Sequence, residues 1–145
     1  MLHHKTLYII FNLFFMIFFV FSADQKKLLI KKENKVINFF IEVSKTKEER
    51  SKGLMYRTKL SKNKGMLFIF PSEEYIKMWM KNTLIPLDII FISKDKEIVE
   101  IKHNMKKLSH SIITSKIKSK YALEINAGLI NKLNIEIGDR VYFNE

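Results

Sequence analysis

Ile37-Asn-Phe-Phe-Ile-Glu-Val43 sets Ile37, Phe39, Ile41 and Val43 at every second position, with Asn38, Phe40 and Glu42 between them. That period of two marks a strand with one face in a core. Downstream, Met66-Leu-Phe-Ile-Phe70 is apolar without a break until Pro71, which reads as a strand covered on both faces. Between the two, Thr46 and Glu49 make a T-x-x-E capping box, in which each side chain binds the other's free backbone N–H. The helix it opens is short, because Gly53 suits the left-handed position just past a helix end.

The rest of the chain extends the pattern. Ile76, Met78 and Met80 alternate with Lys77, Trp79 and Lys81. Ile89–Ile92 and Glu97–Ile101 flank a hairpin turn at Ser93–Lys96, and Tyr121, Leu123 and Ile125 form another alternating strand that ends by Gly128. Leu129–Leu133 reads as one helical turn, Ile135–Ile137 as a strand, and Gly138-Asp139 as a tight turn before a last strand at Val141. Residues 102–120 show no clear period and read as a long loop. Short strands between turn residues, with little helix, predict a mainly β fold: a small closed or partly open barrel with one or two short helices.

The N-terminal segment has a different character. Lys5 precedes Leu7–Phe21, an apolar run interrupted only by Asn12, and Val20-Phe21-Ser22 suits cleavage after Ser22. This is the pattern of a signal peptide. An uncleaved anchor through residues 7–21 is the rival reading, but spanning a bilayer takes roughly 20 apolar residues. The expected organisation is a leader at 1–22, a polar lead-in or edge strand at 23–35 and a single β domain at 36–145. The protein is then exported, to the periplasm or outside the cell.

The chain has 145 residues, no Cys and a formal charge of +11. Disulfides, thiol chemistry and thiolate metal sites are excluded. Of the 26 basic residues 23 are Lys, spread along the chain, and only three are Arg. No Arg forks are set among aromatics, so nucleic acid is not an expected partner. An anionic membrane surface or envelope polymer fits the charge better, through contacts that salt screens within about 10 Å. His103 and His110 lack a third ligand at metal spacing, so neither a metal nor another cofactor is expected.

Five ordered blocks carry a resemblance: Gly53-Leu-Met-Tyr-Arg57, Gly65-Met-Leu-Phe-Ile-Phe-Pro71, Met78-Trp-Met-Lys-Asn-Thr-Leu-Ile-Pro-Leu-Asp88, Leu123-Glu-Ile-Asn-Ala-Gly128 and Ile137-Gly-Asp-Arg-Val141. Together they resemble family 192 of the domains of unknown function, small proteins often exported or membrane-associated. The resemblance runs from about Ile37 to Val141. It implies a barrel-like β domain and no established activity. Relatives commonly carry Pro and often Cys in the loop matching residues 102–120, which here has neither.

The polar residues of these blocks supply a candidate site. Trp79 lies between Lys77 and Lys81 on the strand face opposite the methionines, suited to stacking a planar ligand, to cation–π contact or to a second small core. Lys81, Asn82 and Asp88 bracket a Pro-containing loop, and Glu124 and Asn126 share the polar face of another strand. If those strands are neighbours, the group binds a small polar or saccharide-like ligand, or else is an ion pair that fixes the loop. Arg57 is a supporting contact, with Asp88, Glu124 and Asp139 as candidate partners; Arg140 is expected to pair with Asp139. Two alternatives stand beside the binding module. One is a hydrolase or lyase with Glu124 as general base and Lys81 or Arg57 stabilising an anion. The other is a cell-envelope assembly or interaction factor.

Overall fold

The computed structural model describes residues 26–145. The expected leader at 1–22 lies outside the described residues, as do the first three residues of the lead-in. Among the described residues nine strands are present: β1 (Lys26–Lys32), β2 (Lys35–Ser44), β3 (Lys64–Glu74), β4 (Lys77–Met78), β5 (Leu87–Ile92), β6 (Ile98–Met105), β7 (Ile113–Thr114), β8 (Ser119–Asn126) and β9 (Arg140–Phe143). Two short helices join them, α1 (Lys47–Lys52) and α2 (Leu129–Leu133). Seven strands form one sheet in the order β6-β5-β8-β3-β2-β1-β9, and β4 pairs with β7. The large sheet curls until its ends touch. Glu97 bridges Arg140, the Ile98 amide donates to Asp139 O at 3.0 Å, and the Val141 amide donates to Lys96 O at 2.8 Å. The mainly β, partly open barrel is what the strand pattern predicts.

Lys26–Lys32 corrects the expected lead-in. It pairs with β2 on one side and β9 on the other, so it is neither mobile nor at an edge. Leu28 and Ile30 are fully buried, while lysines occupy much of the outward face. Residues 102–120 are also more ordered than a plain loop, since β6 runs on to Met105 and β7 crosses β4. Conversely, Ile135–Ile137 forms no strand. Ile135 is buried against the core and Ile137 is exposed ahead of the Gly138 turn.

The alternation in β2 buries Ile37, Phe39 and Ile41 inside the curl, together with Leu67, Ile69, Leu123 and Ile125. The opposite face of the same strands makes a second core: Met66, Phe68 and Phe70 of β3, Ala122 of β8, and Leu87, Ile89 and Phe91 of β5. This explains the unbroken apolar run at 66–70, since both faces of β3 exclude water. Ile76, Met78, Met80, Leu54 and Ile85 cover the second core. The α1 helix has no buried residue and holds its position through its ends. The Thr46–Glu49 capping box forms as expected, and Gly53 takes φ +47° just above Phe68, where a Cβ would stand 3.0 Å from Cζ.

Candidate functional site

Between α1, β4 and the second core lies a cavity of about 320 Å³. Phe68 and Phe70 of β3 and Met78 and Trp79 of the β4 segment supply apolar surface. Lys47, Arg50 and Lys52 of α1 and Lys77 of β4 bring charge, and Glu124 of β8 reaches in from the sheet. The alternation of β8 explains the last placement. Tyr121, Leu123 and Ile125 face the inner core, so Ala122 and Glu124 must face the other way. In register, Glu124 lies between Met66 and Ile89, and it is the polar residue in a row of apolar ones.

Glu124 is only 4% exposed, and burial pushes its carboxyl up to about 8. Neither a hydrogen bond nor a neighbouring charge contributes. An ammonium within about 4–6 Å would pull the value down, and no such charge contributes to the shift. Among the described residues no sealed side-chain oxygen lacks a partner. Glu124 lines the cavity, and among the described residues its carboxyl has no hydrogen-bond partner. At neutral pH it is mostly protonated, an uncharged donor and acceptor on the cavity wall.

Trp79 is 37% exposed, with Lys81 Nζ 5.4 Å from its ring centre. The methionine side of its strand is buried, as expected. Arg50 is committed to structure, donating to the carbonyls of Lys45 and Ile69 and lying 4.9 Å from the Phe70 ring centre. Lys47, Lys52 and Lys77 enter no ion pair among the described residues.

Only Trp79 and Glu124 of the expected site residues line this cavity. Asp88 is fully buried and accepts from the Asn104 amide at 2.9 Å and the Ile130 amide at 3.1 Å. Asn82, at φ +54°, donates to Tyr56 Oη at 2.9 Å, while its carbonyl accepts from the Tyr56 amide at 2.8 Å. Asn126 donates to the carbonyls of Leu60 and Ser61. These three side chains fasten loops. Lys81 touches the site only through Trp79.

Arg57 departs furthest from expectation. It pairs with none of Asp88, Glu124 and Asp139 but makes a two-pronged bond to Glu42, both contacts 2.5 Å. Arg140 likewise reaches Glu97 at 4.0 Å and Asp95 O at 2.9 Å, whereas Lys32 is the cation on Asp139. The Arg57–Glu42 pair holds Glu42 below the usual carboxylate range, but both side chains are well exposed. Arg57→Gln is therefore expected to cost about 1 kcal/mol or less in urea unfolding, less still in high salt, and to leave cavity binding unchanged. Lys77 was placed beside Trp79 by strand alternation, whereas nothing local brings Lys47, Lys52 or Thr83 to the same cavity.

The fold and cavity define a small β domain with a partly apolar pocket. The chain belongs to the DUF192 family, described as Uncharacterized ACR, whose model matches residues 28–143. It is 30% identical over 116 residues to a UPF0127 protein of Thermococcus sibiricus (strain DSM 12597 / MM 739), covering 79% of this chain and 72% of that one. Among solved structures it is similar to a candidate transcription regulator from Sinorhizobium meliloti 1021, with a TM-score of 0.80, 34% identity, and coverage of 82% of this chain and 93% of that one. A protein of unknown function from Novosphingobium aromaticivorans DSM 12444 matches with a TM-score of 0.79, 33% identity and coverage of 85% and 89%.

Proposed function

We propose that this protein is an exported binding module that holds a small polar or saccharide-like molecule between Trp79 and Glu124. Export rests on the basic start and apolar run of the first 22 residues. The binding reading rests on one observation: a buried carboxyl with no hydrogen-bond partner among the described residues lines a cavity that Trp79 also lines. A ligand supplies the partner this carboxyl lacks, and the ring supplies stacking area. The test is a thermal-shift screen of wild type and Trp79→Ala against mono- and disaccharides and small polar metabolites. A ligand at 100 times its Kd stabilises by about 2.7 kcal/mol, which raises the midpoint by several degrees. The variant is expected to keep its unligated midpoint and lose that response. Equal responses in both proteins would place binding elsewhere.

The second reading, acid–base catalysis, draws on the raised carboxyl of the same residue. At pH 7 a group titrating near 8 is mostly an acid, not the general base first expected. The intended anion stabilisers also stand elsewhere, since Arg57 is bound to Glu42 and Lys81 does not line the cavity. Binding is the better-supported function.

A further inference from the structure

We propose that the cavity is selective for organic anions, taking a molecule with an apolar or planar body and a single carboxylate, phosphate or sulfonate group. This rests on the binding reading above and narrows its ligand class. The body fits against Phe68, Phe70 and Trp79, which form part of the cavity's apolar surface. The acid group is met by Lys47, Lys52 and Lys77, three ammonium groups that no carboxylate of the described residues neutralises. Arg50 adds charge, although its hydrogen bonds are spent on backbone carbonyls. No planar fork is free, so the anion is held by point charges, which do not discriminate strongly between carboxylate and phosphate geometry.

The cavity's one acidic side chain strengthens the case. Glu124 is buried, meets no hydrogen-bond partner among the described residues and lines the same space. A charged carboxylate lining the same cavity would repel an anion, whereas a protonated one does not and donates a hydrogen bond to a polar atom of the ligand body. The site thus combines uncompensated positive charge with an uncharged donor. A cationic ligand would meet the reverse of what it needs, and a neutral sugar would leave the three ammonium groups unused.

Two fluorescent probes with similar apolar bodies separate charge from shape: 1-anilinonaphthalene-8-sulfonate, an anion, and N-phenyl-1-naphthylamine, which is neutral. Titrated into the full folded protein, the anion is expected to bind at least about tenfold more tightly, as charge-assisted contacts would provide. Raising salt should weaken the anion and spare the neutral probe. The variant Lys47→Gln/Lys52→Gln/Lys77→Gln should lose the preference, and the control Lys31→Gln/Lys62→Gln/Lys106→Gln should keep it. Equal affinity for both probes, or a preference that survives the first triple variant, would overturn anion selectivity while leaving the pocket in place. Probe binding that Trp79→Ala does not weaken would overturn the pocket reading itself. Urea unfolding of each variant, unchanged in cooperativity, shows that the probes report on native protein.

Discussion

Glu124→Gln is expected to make the protein markedly more stable at pH 8 and to change little at pH 5. The wild-type carboxyl titrates near 8 when folded and near its ordinary 4.5 when the chain unfolds. Between those values the unfolded chain has released the proton that the native state still holds. Stability must then fall as pH rises, because the unfolded state binds fewer protons. The folded value is raised, so the loss begins at the unfolded pKa near 4.5 and is complete above 8. At about 1.4 kcal/mol per unit, the difference approaches about 5 kcal/mol, and water entering the open cavity will reduce it. Gln keeps the shape and a polar head but has no proton to lose, so this slope should vanish. Urea unfolding of both proteins at pH 5, 6.5 and 8 provides the measurement. Parallel pH profiles would show that Glu124 titrates normally and is well solvated in the folded protein.

The other large effect concerns Asp88, whose expected place in a binding site the structure replaces with a structural role. One oxygen accepts from the Asn104 amide in β6 and the other from the Ile130 amide in α2. The residue is fully buried, so Asp88→Ala would strand two backbone donors, at a cost of about 1–3 kcal/mol each. A loss of about 4 kcal/mol is a large share of the 5–15 kcal/mol that ordinarily separates folded from unfolded. Asp88→Asn keeps one acceptor oxygen and should lose about half as much. Trp79 and Glu124 are untouched, so the probe affinity of the folded fraction should match wild type. A destabilisation under about 1 kcal/mol for the Ala variant would mean that water readily replaces the carboxylate.

Both residues show how far local reading reaches. Alternation correctly put Glu124 on the face opposite Leu123 and Ile125, but it could not say what covers that face. The covering is distant in sequence: α1 and β4 lie over β3 and β8, and that covering turns a polar-face glutamate into a buried, protonated one. For Asp88 the error has the same origin. Its partners are 16 and 42 residues away, and a carboxylate accepting two backbone amides leaves no local signature beyond being an Asp next to apolar residues.

The outer elements divide in the same way. The capping box at Thr46 and Glu49 was legible because both partners lie within one helical turn. The lead-in was misread because Lys26–Lys32 has only two deeply buried apolar side chains among lysines, and its strand state depends on the ladders from β2 and β9 on either side. Arg57 illustrates the limit for charges. An exposed fork pairs with whichever carboxylate the fold brings near, and here that is Glu42.

By itself, the amino-acid order determined the strands with a clean two-residue period, the two-faced burial of Met66–Phe70, the short capped helix and the family blocks. Each of these is settled by neighbours a few positions apart. Tertiary structure alone decided which polar groups share a cavity, which fasten loops and which carboxyl keeps its proton, since all three depend on desolvation and hydrogen bonding between segments that meet only when the sheet curls.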